Sequence, residues 1–327
     1  MKHLRSIDDI GGREGAEKLF RFTDHIKANE SVYKRKALND KIIASLFFEA
    51  STGTRITSEA AALWLGADVI PVSGEEATSL AKGESIEDTV RRIMGCVDAI
   101  ILRHKDDNSA HRAAAVSSIP IIGGGAGKAH HTTQAILDVY TMREYKKRVD
   151  ELCVAVIGDL QNGRTVHSLI ELLTLYDKIK IFECSVNGLE LPQKYINTIL
   201  ERGGEYKKCE NIEDIPHDAD ALYCTRIQQE RLEFPSEREK KEFFTRLDYE
   251  KEKTRIDSKK LSCFSKDTLI MHPLPRNSNN GESEITNEVV GTGDQPGDPR
   301  CIIFEQATNG FHTRKAVLMT CMGMEGK

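Results

Sequence analysis

The chain lacks the features of several protein classes. Its eight cysteines are widely separated and form no C-x-x-C pair. That spacing argues against a disulfide framework and a structural zinc site, and reduced thiols of a cytoplasmic protein are the expectation. Basic residues are not in excess: 46 Lys and Arg face 51 Asp and Glu, for a formal charge of −5. A generally basic nucleic-acid binder is excluded, although a local basic pocket is not. No apolar run approaches the roughly 18–20 residues of a membrane span. The opening MKHLRSIDDIGG has no apolar stretch of the kind found in a secretory signal. With 39% hydrophobic and 30% charged residues the composition is that of a folded globular chain, not a disordered one. At roughly 100–200 residues per domain, 327 residues predict two domains.

What is present is an alternation of buried-strand and helix patterns. IIASLFF (42–48), ADVIPV (67–72), DAIILR (98–103) and SIPIIG (118–123) are short apolar runs that suit strands buried on both faces. Helical patterns fill 52–65, 84–95 and 108–117 between them. The segment 131–147 has helical spacing and a basic end, and closes this first series. A second series follows, with strands expected at LCVAVIGD (152–159), KIKIFEC (178–184) and DALYCT (220–225) and helices at RTVHSLIELLTLY and PQKYINTILERGG. The charged stretch 229–262 reads as a surface excursion, and EQATNGFHTRKAVLMTCM as a final helix. The βαβ rhythm predicts an α/β fold of two domains, each a parallel sheet flanked by helices.

Open parallel sheets bind ligands beyond the carboxyl ends of their strands. The chemically informative residues lie in the corresponding loops. STGTR (51–55) leaves a strand and enters a helix, and can form an anion site from hydroxyls and backbone N–H groups or serve as an ordinary N-cap. Lys82 alone reads as a solvated lysine. Arg103 ends a strand, poised for phosphate or carboxylate. His131, beside His130, lacks partners at metal-ligand spacing, so no metal is expected. GGGAGK (123–128) fails as a nucleotide phosphate loop, because Ile122 occupies the first glycine position and Ala129 the magnesium-binding hydroxyl position. VIGDLQNGR lacks the dinucleotide glycine pattern, so no cofactor is expected. Arg164 and Arg226, with Gln228, can hold a dicarboxylate. The residues alone describe a two-domain α/β protein binding a phosphate on one side and a carboxylate on the other.

These loops, in this order and over essentially the whole chain, resemble the aspartate/ornithine carbamoyltransferase family. FFEASTGTR is similar to the family's FFE-(Pro/Ala)-STRTR, and SLAKGES to the loop that lends a serine and a lysine to a neighbouring subunit. ILRH, HTTQ, VAVIGDLQNGRTVHSL, LYCTRIQQERL, MHPLPR and FEQATNGFHTRKAVL follow the remaining family segments. TRIQQER with HPLPR points to the aspartate-using branch.

The resemblance implies a carbamoyl-phosphate domain (1–147, joined by a helix at about 305–327) and an aspartate domain (148–304). It implies Ser51, Thr52, Thr54, Ser79, Lys82, Arg103, His131 and Gln134 as carbamoyl-phosphate ligands, with Thr54, Arg103 and His131 polarising the carbonyl. Arg164, Thr165, Arg226, Gln228, Pro273, Leu274 and Pro275 then face aspartate, and Glu49, Arg164 and Arg231 brace domain closure. The implied reaction transfers a carbamoyl group to the α-amino group of L-aspartate, in pyrimidine biosynthesis, without cofactor or metal. The implied partners are the two substrates and further copies of the chain in a homotrimer with shared sites. A regulatory subunit is left open, and neither nucleic acid nor a membrane is involved.

The chain departs from the family at the carbamoyl-phosphate half. Gly53 stands where STRTR has its middle arginine, GGGAGKA replaces an Asn-Ala-Gly-Asp-Gly-like run, and Thr132 replaces a proline. Lys128 and His130 are additional polar groups, while NSNNG (277–281) and GDQPGDPR (293–300) read as insertions. Losing one preorganised charged donor costs about 3 kcal/mol, on the order of a hundredfold in rate. Three readings follow: a working enzyme in which Lys128 or another cation substitutes, a diverged transferase with another donor or amino acid, or a catalytically impaired paralogue.

Overall fold

The computed structural model describes the chain except residues 77, 129, 233, 235, 279–282, 294, 326 and 327 and the side chains of residues 248 and 249. The chain forms two compact units, Met1–Tyr140 with Ala307–Lys327, and Thr141–Gln306. The first divide falls inside the helix Thr132–Lys146, which carries the chain from one unit to the other.

The first unit is built on a four-stranded parallel sheet in the order β2-β1-β3-β4, with β1 Ile42–Phe47, β2 Asp68–Ser73, β3 Ala99–His104 and β4 Ile121–Ala126. Its core gathers Ala44, Leu46, Ile100, Leu102 and Ile121 around Val90 and Ala113. Three features differ from the sequence reading. β2 is an edge strand with exposed and half-buried positions, not one buried on both faces. Its β-branched composition carries the β signal, but it pairs on one side only.

β4 runs on through the glycines that were read as a loop, and all six of its residues are buried. The glycines make room for neighbours. A Cβ on Gly123 would stand 3.1 Å from the Leu4 carbonyl, and one on Gly124 3.2 Å from Cζ of Phe47. Leu4 lies along this strand, its N–H donating to Ile121 O at 2.9 Å and its carbonyl accepting from Gly123 N at 2.7 Å. Thus the glycine run, which failed as a nucleotide loop, serves close backbone packing. The amino-terminal helix Gly12–Ala28 was not anticipated.

The final helix, Ile303–Cys321, places its residues from Ala307 onward in the first unit. There Phe311 meets Trp64 edge to face, with ring centroids 6.2 Å apart. The buried Lys315 sets Nζ 3.7 Å over the Trp64 ring. Burial holds the Lys315 ammonium down to about 8, with Glu30 opposing that shift.

The second unit has a five-stranded parallel sheet ordered β7-β6-β5-β8-β9, namely β5 Cys153–Gly158, β6 Lys180–Ser185, β7 Glu205–Lys208, β8 Ala221–Cys224 and β9 Leu269–Met271. β7 and β9 escaped the sequence reading. β7 is an edge strand of sequence EYKK with no apolar run, and β9 has three residues. The stretch 229–262 is not simply a surface excursion. It forms the helix Glu237–Thr254 and the short helix Ser258–Leu261. Leu247 is buried against Val186 and Leu189, while Ile256 and Leu261 join the core that contains Leu222 and Ile270. Of the apparent insertions, part of NSNNG lies outside the described residues. In GDQPGDPR, Gln295–Pro296 pairs antiparallel with Gly291–Thr292, and Arg300 pairs with Asp298 at 2.6 Å.

Candidate active site

In the first unit the carboxyl ends of β1, β3 and β4 present the predicted phosphate-side residues. Ser51 and Thr52 lead from β1 into the helix Gly53–Leu65, with Thr52 as its N-cap. Thr54 is buried in the first turn of that helix, and its hydroxyl lies 3.3 Å from Nε2 of the buried His131. His131 directly precedes the helix Thr132–Lys146. The structure thus joins two predicted catalytic groups from segments 77 residues apart.

Arg103, near the end of β3, is buried. Its Nη1 donates to Gly124 O at 3.3 Å, and Nη2 lies 3.4 Å from the Glu49 carboxylate. Gln134 is buried one turn after His131 and donates to Asp138 at 2.9 Å. Arg55, the remaining arginine of STGTR, is turned to Glu59 at 3.0 Å, and Glu59 also accepts from Ser45. Gly53 has no positive φ, and a Cβ added there meets nothing within 4 Å. Lys128 is exposed in the turn after β4, its backbone N–H donating to Asp107 at 2.6 Å. Ser79 and Lys82 bound a 3-10 turn, Ser79–Lys82, with Lys82 exposed and Ser79 half-buried.

In the second unit the predicted aspartate-side residues sit beyond β5, β8 and β9. Arg164 and Thr165 open the helix Arg164–Leu173, with Arg164 buried. Arg226 and Gln228 follow β8. Arg226 forks onto Glu230, with Nη1 donating to Oε2 at 3.0 Å and Nη2 to Oε1. This contact holds the Glu230 carboxyl below the usual carboxylate range. Arg231 ends the short turn Gln229–Arg231.

Two buried residues outside the predicted set hold these loops. Asp159 accepts from Asn162 N at 3.0 Å and from Gln228 N at 3.1 Å, while Gln228 Nε2 donates to Asn162 O at 2.8 Å. It joins the loop after β5 to the loop after β8, and burial raises its pKa. The signal was visible as an Asp directly after a buried strand. The second residue is His272. Its Nδ1 accepts from Leu274 N at 2.9 Å, and its backbone N–H donates to Gln306 Oε1 at 2.9 Å. Burial, reinforced by Arg276 and Arg226, holds this imidazole down to about 3, so it is neutral with the proton on Nε2. It shapes the turn carrying Pro273, Leu274 and Pro275, in which Leu274 has φ 54°.

A cleft of about 420 Å³ opens at the ends of β5 and β8, lined by Thr225, Ile227 and Gln229 among others. It is bounded by Glu284, whose carboxyl is raised by burial and accepts from Asn277 N at 3.0 Å.

Two parallel-sheet units, each with polar and basic side chains beyond its strand ends, are the α/β architecture of this chain. Residues 2–144 match the family model for the aspartate/ornithine carbamoyltransferase carbamoyl-P binding domain, and residues 150–321 match that for the Asp/Orn binding domain. The chain belongs to the aspartate/ornithine carbamoyltransferase family. It is 38% identical to the aspartate carbamoyltransferase catalytic subunit of Clostridium acetobutylicum, with 94% of each chain covered. It is 36% identical to that of Methanocaldococcus jannaschii, with 97% of each covered. Among solved structures, the catalytic subunit of M. jannaschii aspartate transcarbamoylase superposes with a TM-score of 0.85 at 34% identity, covering 100% of both chains. The Trypanosoma cruzi aspartate transcarbamoylase, solved in complex with carbamoyl phosphate, has a TM-score of 0.85 at 29% identity, covering 97% of this chain and 94% of that one.

Proposed function

We propose that the protein transfers the carbamoyl group of carbamoyl phosphate to the α-amino group of L-aspartate, giving N-carbamoyl-L-aspartate and phosphate in pyrimidine biosynthesis. The observation that carries the aspartate side is Arg226, which already grips a carboxylate with both guanidinium nitrogens. Family membership and the relatives' common name support the same reaction.

The reaction needs no covalent enzyme intermediate. The aspartate nitrogen bonds to the carbonyl carbon, the carbon–oxygen bond to phosphate breaks, the nitrogen gives up a proton, and phosphate leaves with the electron pair. The work is to hold two anions together and stabilise charge on the carbonyl and phosphate oxygens. Thr54, Arg103 and His131 polarise the carbonyl. Ser51, Thr52, Thr54 and Lys82 hold the phosphate, with Ser79, and Gln134 contacts the carbamoyl group. Arg164, Thr165, Arg226 and Gln228 aim aspartate, with Pro273 and Leu274 against it. Glu49 and Arg231 brace the closed form.

The reading includes a cytoplasmic homotrimer in which Ser79 and Lys82 serve a neighbouring copy. Exposed Ile56 and Leu63, seven apart on one helix, and exposed Ile70 on β2 support an apolar contact face on the first unit. The test is incubation of the purified protein with carbamoyl phosphate and aspartate, with ornithine as the contrast. Formation of N-carbamoyl-aspartate alone is expected. A folded protein that binds aspartate without making product would overturn the assignment and favour the diverged or impaired reading, which Gly53 motivates.

A further inference from the structure

Gln134 and Asp138, at i and i+4, share one face of the helix Thr132–Lys146, which His131 directly precedes. Gln134 Nε2 donates to Asp138 Oδ1 at 2.9 Å, and Asp138 is fully buried. The direction of this bond is set by chemistry. A carboxylate only accepts, so the amide must turn its nitrogen toward Asp138 and its carbonyl oxygen away.

Arg314, on the final helix, is buried, and its electrostatic partner is Asp138. Burial pulls the Arg314 guanidinium down to about 10, with Asp138 opposing that shift. Gly310 leaves room for this arginine, since a Cβ there would come 2.3 Å from Arg314 Nη1 and 2.9 Å from Leu137 Cδ2.

We propose that Asp138 is a positioning residue that locks Gln134 with its carbonyl oxygen free to accept from the carbamoyl N–H2 group. The inference rests on the proposed carbamoyl-phosphate reading of the first unit. It assigns the recognition of the donor's nitrogen end to an amide polarity set by Asp138. A donor with oxygen in place of that nitrogen presents no N–H to the Gln134 carbonyl and is disfavoured.

The test compares two ligands, carbamoyl phosphate and inorganic phosphate, which lacks the carbamoyl group. An Asp138→Asn amide can donate as well as accept, which releases the lock. The Kd for carbamoyl phosphate is expected to rise about tenfold, with that for phosphate unchanged within about twofold. Gln134→Glu places two carboxylates together and is expected to lose at least about tenfold in kcat/KM. The swap Gln134→Glu with Asp138→Asn restores one donor facing one acceptor, so part of that loss is recovered.

Equal weakening of both ligands, no weakening of either, or a swap as poor as Gln134→Glu overturns the inference while wild-type turnover stands. A wild type that makes no N-carbamoyl-aspartate overturns the function itself. If Asp138→Asn does not fold, the swap variant decides, since it retains one carboxylate and one amide.

Discussion

Arg226 and Glu230 form a forked ion pair beyond β8, in which the arginine expected to bind a substrate carboxylate is occupied by a carboxylate of its own chain. The pair is four residues apart and half-exposed, so its net strength is modest, about 0.3–1 kcal/mol. In the proposed reaction, a substrate carboxylate that also meets Arg164 and Gln228 displaces it.

Glu230→Gln should therefore free Arg226 and lower the KM for aspartate about two- to fivefold, with kcat little changed. Because Glu230 titrates below its usual range, its stabilising contact is present above the unfolded carboxylate pKa and is lost as pH falls through the lower folded value. Steady-state kinetics across aspartate concentration check this. A rise in KM would show that Glu230 helps to hold Arg226 in its working position.

Gly53→Arg is the second prediction. The position has an ordinary φ and open space around it, so the longer side chain fits without backbone change. Arginine favours the helix by up to about 1 kcal/mol over glycine, partly offset by a positive charge at a helix N-terminus. Thermal stability should therefore be nearly unchanged, while kcat/KM for carbamoyl phosphate rises by ten- to about a hundredfold. A fall in activity would mean that the space at Gly53 is used by the native donor.

The third prediction concerns pH. His272 is held neutral in the fold, with its pKa down at about 3 against an unfolded value near 6.5. The unfolded chain therefore takes up this proton first as pH drops. The stability contributed by a neutral His272 is full above pH 6.5 and is lost progressively between about 6.5 and 3, amounting to a few kcal/mol. His272→Gln should flatten that part of the stability curve, at a cost of about 1–3 kcal/mol at neutral pH from the disturbed Leu274 N–H contact. Urea unfolding from pH 7 to pH 4 measures both effects. An unchanged pH slope would rule out His272 as the titrating group.

Much of this protein was legible before any coordinates. Buried parallel strands announce themselves as unbroken Ile, Val and Leu runs, because both faces are covered, and β1, β3 and β5 were readable for that reason. The order of short polar loops after those strands carried the family and the candidate residues, since ligand chemistry there depends on residue type at fixed positions along the chain. Gly53 stood out for the same reason.

Tertiary structure decided what depends on partners distant in sequence. β7 and β9 exist because neighbouring strands supply their hydrogen bonds, not because EYKK or three residues carry a β signal. The glycines of β4 are a strand because Leu4 and Phe47 press on them, which local pattern cannot encode. The 3.3 Å meeting of Thr54 with His131, and the loop-holding role of Asp159, arise only when separate loops come together at the end of a sheet. Sequence determines which groups are available at the ends of the strands. Which of them are desolvated, paired or already occupied is set by packing, because hydrogen-bond partners and lost water belong to the folded neighbourhood and not to the residue itself.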